Sequence, residues 1–151
     1  GLSVLESGDD RLVAPFLAHP KCMLGSDGIY FPDGRVHPRV TGSAARMLGP
    51  CVREWKLFSL ETAVHKMTGH PAARFGLTDR GVVQEGAYAD LVLFNPATVQ
   101  DRATYEQPHE LSTGIEHVLV NGVEIFSQGN AAEKKATPPG RAIRFERNEG
   151  N

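Results

Sequence analysis

The sequence predicts an α+β chain, and three observations carry that prediction. Apolar residues recur at helical spacing through most of the first half, strand-type runs replace them after Gly81, and a short apolar run, Cys22-Met23-Leu24, hands a single carboxylate, Asp27, to a loop rich in Gly and Pro. A strand that delivers one Asp to such a loop is how β/α barrels build the active rim at their C-terminal face.

With 151 residues, 40% of them hydrophobic, and a formal net charge of -2, the chain has globular composition and length enough for one core. No apolar run approaches the roughly 20 residues that cross a bilayer, and the amino terminus lacks the basic-then-apolar layout of a signal peptide. The expectation is a cytoplasmic protein with no membrane partner. Sixteen basic residues nearly balance eighteen acidic ones without a dense Lys/Arg tract, so nucleic acid is discounted as well. Cys22 and Cys51 are too few and too isolated for a disulfide scaffold and read as buried thiols. The chain opens on Gly1 and enters apolar sequence at once, which reads as an excerpt from a longer protein.

Asp9-Asp10 followed by Leu12, Val13, Phe16 and Leu17 predicts a short helix with acidic residues at its positive end, stopped by His19-Pro20. Cys22 to Leu24, bounded by Pro20 and Gly25, predicts a short strand that ends near Asp27. From Ala44 to Trp55 the spacing is helical, interrupted at Gly49-Pro50. Ser59 caps a further helix carrying Leu60, Ala63, Val64 and Met67 on one face, which Gly69 stops. Pro71 suits the start of another over Ala72 to Phe75, with Gly76 as terminator.

Beyond Gly81, Val82-Val83, Leu91 to Phe94, Val118 to Val120 and Val123 to Phe126 read as strands. Asn121-Gly122 is a type I′ hairpin signal, because both central residues must accept positive φ, and Glu85-Gly86 is a weaker turn. Residues 95–114 hold Pro96 and Pro108 and few periodic apolar positions, which predicts an irregular excursion. The polar stretch from Gly129 to Gly140 reads as a mobile tail, with Ala142-Ile143-Arg144-Phe145 as a possible terminal strand.

Taken alone, Ser26-Asp27-Gly28 is most often a turn, and a loop arginine such as Arg39 is usually a solvated charge. His19, Cys22 and His37 do not form the four-ligand pattern of a structural zinc site. His65, His70, His109 and His117 have no partners at diagnostic spacing, and Met23, Met47 and Met67 read as core filler.

The run Gly81-Val82-Val83-Gln84-Glu85-Gly86-Ala87-Tyr88-Ala89-Asp90-Leu91-Val92-Leu93-Phe94, followed by Val118-Leu119-Val120-Asn121-Gly122, resembles the carboxyl-terminal signature of the amidohydrolase superfamily. His19-Pro20, Gly25-Ser26-Asp27-Gly28, His37-Pro38-Arg39, Arg46, Leu48-Gly49, Arg74-Phe75-Gly76-Leu77 and Asp101-Arg102-Ala103-Thr104-Tyr105 narrow the likeness to the N-acyl-D-amino-acid deacylases, or D-aminoacylases. The resemblance covers nearly the whole chain but only the last third or so of such an enzyme.

It implies that residues 1–80 are the last strand and closing helices of a metal-dependent (β/α)8 barrel. Residues 81–128 would be strands of a small β-sandwich with a long loop, and 129–151 a tail. It further implies that Asp27 is the general acid and base beside a zinc-bound water, that Arg39 holds the substrate carboxylate, and that Ser26 helps to bind substrate. The zinc ligands of the family lie upstream of anything matched here. Zinc is therefore implied for the full-length parent and none for this chain alone, which would be inactive in isolation.

The implied partners are a small N-acyl-D-amino acid and either the upstream remainder of the same enzyme or a second copy of this chain. Two other readings stay open: a non-catalytic association module, and a cyclic amidase of dihydropyrimidinase or hydantoinase type.

Overall fold

The computed structural model describes residues 9–30, 36–132 and 137–143. Phe31 to Gly34 and Lys134-Lys135 lie outside the described residues, as do Arg144 and Phe145 of the expected terminal strand; Ala142 and Ile143 are in no strand. Among the described residues five helices come first: α1 (Asp10–Ala18), α2 (Arg39–Leu48), α3 (Pro50–Arg53), α4 (Leu60–Met67) and α5 (Gly69–Phe75). An antiparallel sheet follows: β1 (Leu91–Phe94), β2 (Ile115–Val120), β3 (Val123–Ser127) and β4 (Asn130–Ala131).

Helix α2 starts five residues before the expected Ala44, because Pro38, with φ −52, already sets the helical backbone at its N-cap. Gly49-Pro50 does separate α2 from α3. A Cβ on Gly49 would stand 2.2 Å from the Val99 carbonyl oxygen, so the chain crossing there leaves room for glycine alone. Ser59 caps α4 by accepting the Thr62 N–H, a contact worth about 1 kcal/mol. Gly76 ends α5 in the left-handed conformation, φ 71.

Ala45, Leu48, Ala63 and Val99 form the buried core, with Val52, Phe58, Leu60, Val64, Phe94 and Ile115 packed around it. Val99 lies in the excursion at 95–114, which is therefore pinned rather than loose. Arg53 of α3 donates to the carbonyls of Pro96 and Val99 and to Gln100, and Gln100 pairs with Thr113. The excursion thus joins the helical half to the sheet.

The strands run in sequence order as a meander, with Val120 opposite Val123 across the Asn121-Gly122 turn. Both turn residues have positive φ, 48 and 77, as a type I′ turn requires. The Asp90 carboxylate accepts the Asn121 N–H and the Arg80 guanidinium, and the Gly122 N–H reaches the Ala89 carbonyl, so the Ala-Asp pair preceding β1 braces this hairpin. The described strands form one sheet, and no second sheet or barrel strand occurs among the described residues.

Four sequence expectations are corrected. Cys22 to Leu24 is not a strand: apart from Leu24 N–H to the Lys66 carbonyl, no ladder forms there among the described residues, and an apolar run without a paired neighbour does not become sheet. Val82-Val83 is not a strand either. Gly81, at φ 87, presses against Ala72 and Thr68, and Val83 is left 90% exposed. The start of the expected mobile tail is instead β4, closed by a second two-residue turn in which Gln128 and Gly129 both have positive φ, 47 and 88. Of the two thiols read as buried, Cys51 is and Cys22 is only half-buried.

Candidate active site

The segment from Cys22 to Tyr30 is irregular, and within it Asp27 adopts φ 47, a left-handed conformation that Asp tolerates better than most residues. The Gly28 N–H donates to the Ser26 hydroxyl at 3.2 Å, so Ser26 closes a local turn around Asp27. A Cβ on Gly28 would come within 3.2 Å of the Val40 Cα, and this close approach brings the turn against the first residues of α2. Arg39 opens that helix, and its Nη2 lies 2.9 Å from Asp27 Oδ2. Two residues twelve positions apart, singled out from the sequence, are therefore in contact. Both are open to solvent, the Asp27 side chain at 82% and the Arg39 side chain at 41%.

His37 supports this arrangement. Its Nδ1 accepts the Arg39 backbone N–H at 3.1 Å, and its Nε2 is 3.0 Å from the Tyr105 hydroxyl, with the two rings edge to face. With Nδ1 an acceptor, the neutral ring carries its proton on Nε2 and donates to Tyr105. Burial, and then the positive charge of Arg39, hold the His37 pKa below its ordinary value. His37, Arg39, Ser43, Arg46, Thr104 and Tyr105 line one cavity of about 670 Å³. Arg46 closes one side of it through a 2.9 Å pair with Asp101, whose side chain is nearly buried.

Sequence reasoning missed Tyr105 as a site residue, since an aromatic in an aperiodic loop carries no spacing signal. It missed Lys66 as well, although a lysine three residues after Ala63, on the buried side of α4, is such a signal. The remaining histidines are occupied locally. His65 stacks on His70, His109 lies edge-on to Tyr30, His117 pairs with Glu124, and His19 accepts the Lys21 N–H. Among the described residues no three His, Cys, Asp or Glu side chains come together to hold a metal, so these residues do not fit a zinc centre. No helix among them is long and apolar enough to cross a membrane.

A family model described as "Amidohydrolase family" matches residues 13–126. The chain is 48% identical over 136 residues to an N-acyl-D-glutamate deacylase of Alcaligenes xylosoxydans xylosoxydans, covering 90% of this chain and 27% of that one. It superposes on the crystal structure of a D-aminoacylase with a TM-score of 0.79 and 50% identity, covering 83% of this chain and 26% of the other. An N-acyl-D-glutamate deacylase from Bordetella bronchiseptica, solved with zinc and a phosphonate mimic of the tetrahedral intermediate, matches with a TM-score of 0.75 and 52% identity, covering 82% of this chain and 26% of that one. The chain thus spans about a quarter of the length of the proteins that it matches.

Proposed function

The chain belongs to the amidohydrolase family, and from that premise we propose that it is the carboxyl-terminal portion of a hydrolase that cleaves N-acyl-D-amino acids to a carboxylate and a free D-amino acid. The observation that carries the proposal is the 2.9 Å pairing of Asp27 with Arg39 on an open turn. One is a group able to move a proton, the other a group able to hold a carboxylate.

In this reading Asp27 takes the proton from the water that attacks the amide carbonyl and returns it to the nitrogen as the C–N bond breaks. Arg39 spends one of its five N–H donors on Asp27, and the others remain for the carboxylate of the substrate, which a planar guanidinium can grip at two points. The Ser26 hydroxyl accepts from Gly28 and keeps its own proton for an acceptor on the substrate. We assign residues 1–80 to the end of a (β/α)8 barrel and its closing helices, 81–128 to strands of a β-sandwich extended by β4, and the residues after β4 to a tail. Zinc belongs to the whole protein, held by residues other than those described, and the chain by itself is inactive.

The test is release of free amine by the full-length protein from an N-acetyl-D-amino acid and from its L enantiomer. We expect turnover of the D form and none from the isolated chain. A zinc-loaded full-length protein that leaves every N-acyl-D-amino acid intact rejects the proposal.

A second reading, an association module without chemistry of its own, is favoured by apolar side chains left in the open. Leu12 and Phe16 of α1 are 68% and 74% exposed, and Val92 and Leu93 of β1 are about half exposed. It predicts that the isolated chain self-associates, which sedimentation measures.

A further inference from the structure

We propose that Lys66 is a positioning residue for Asp27: it staples the irregular segment 19–24 to the core-anchored helix α4, and so fixes where the Ser26-Asp27-Gly28 turn begins. The inference rests on the role proposed for Asp27 and adds how the chain aims that carboxylate.

Lys66 is 1% exposed and is the largest fully buried side chain among the described residues. A buried ammonium survives only where hydrogen bonds replace its hydration. Here it donates to the His19 carbonyl at 2.5 Å and to the Cys22 carbonyl at 3.2 Å, and it stands 5.8 Å above the Phe58 ring. The backbone of the same residue makes a third link, its carbonyl accepting the Leu24 N–H at 3.3 Å.

Among the described residues segment 22–30 joins no strand ladder, and these three bonds are what tie its start to α4. Their far end is secured, because α4 is capped by Ser59 and places Ala63, fully buried, in the core. Their near end is Leu24, three residues before Asp27. Beyond that point the turn is exposed and contacts α2 through the Gly28 approach to Val40 and the Arg39 ion pair. Releasing the staple therefore frees the approach to Asp27 while leaving Arg39, at the start of α2, in place.

The substitution that tests this is Lys66→Met in the full-length protein, which keeps the unbranched apolar stem, one atom shorter, and removes the donors. We expect kcat to fall by about tenfold or more, since a misplacement near 1 Å can cost that much, with KM within about twofold. In an Asp27→Asn background the same substitution should leave the residual rate unchanged, because residues acting through one another are not additive. An unchanged kcat, or the same fold-loss in both backgrounds, overturns the proposal.

If Lys66→Met does not fold, the wild-type protein labelled with 15N-lysine decides. Ammonium protons of Lys66 that exchange with water slowly support the staple, and protons that exchange as fast as those of surface lysines overturn it. Near-normal turnover of Asp27→Asn alone would instead strike the role of Asp27. The staple is then judged by Leu24 amide exchange in Lys66→Met, where unchanged protection refutes it.

Discussion

Replacing Asp27 by Asn separates what this residue does for the fold from what it does for chemistry. The lost ion pair is solvent-exposed on both sides, and such pairs contribute about 0–1 kcal/mol. Asn accepts left-handed φ as readily as Asp, so φ 47 adds no strain, whereas Ala at the same position would add about 1–2 kcal/mol. The stability of Asp27→Asn should thus lie within about 1 kcal/mol of wild type. Removing a positioned general acid and base costs about 10²–10⁴ in rate, or about 2.7–5.4 kcal/mol at 1.36 kcal/mol per tenfold. Amine release from an N-acetyl-D-amino acid and denaturant unfolding of the same preparation measure the two quantities. Turnover within a few-fold of wild type would remove Asp27 from the mechanism. A stability loss above about 2 kcal/mol would show that the turn depends on the ion pair, contrary to its exposure.

Arg39→Lys keeps the charge but loses the two-point grip, so KM for the N-acyl-D-amino acid should rise by about tenfold or more with kcat little changed; an unchanged KM counts against its assigned role. Gly114→Ala should cost about 2–5 kcal/mol in denaturant unfolding. Its φ is 76 and the new Cβ would sit 2.5 Å from the Val99 Cα. Gly129→Ala, with φ 88 and nothing within 4 Å, should cost only the backbone share, about 1–2 kcal/mol. Equal losses would show that the backbone at Val99 yields to the added methyl without cost. Because the folded pKa of His37 is lowered by burial and by Arg39, the unfolded chain binds its proton first. Stability should therefore decline as pH falls below about 6.5 and level off once folded His37 also protonates. His37→Gln should flatten that decline, and an identical pH profile in the variant would refute the link.

Much of the helical half was legible because its signals are local. The Ser59 cap, the Gly49-Pro50 break and the Gly76 terminator act within one or two turns of chain, and all three stand where spacing put them. The Asn121-Gly122 hairpin was legible for the same reason. The Gln128-Gly129 turn was not, because Gln carries no preference for positive φ. Asp27 and Arg39 could be named from the resemblance, but their contact depends on how tightly Gly28 lets the turn approach Val40, and no spacing rule encodes that distance.

Through its family likeness the sequence singled out Asp27 and Arg39; by itself it determined the order of helices before sheet and the hairpin between β2 and β3. These follow from residue type and from preferences that span a few positions. Only the tertiary structure decided that Cys22 to Leu24 is held by Lys66 instead of a strand ladder, that Val99 of the excursion fills the core, and that Tyr105 meets His37 behind Arg39. Each of those contacts joins segments distant in sequence. It is set by which buried donors and cavities the packed chain leaves to be satisfied.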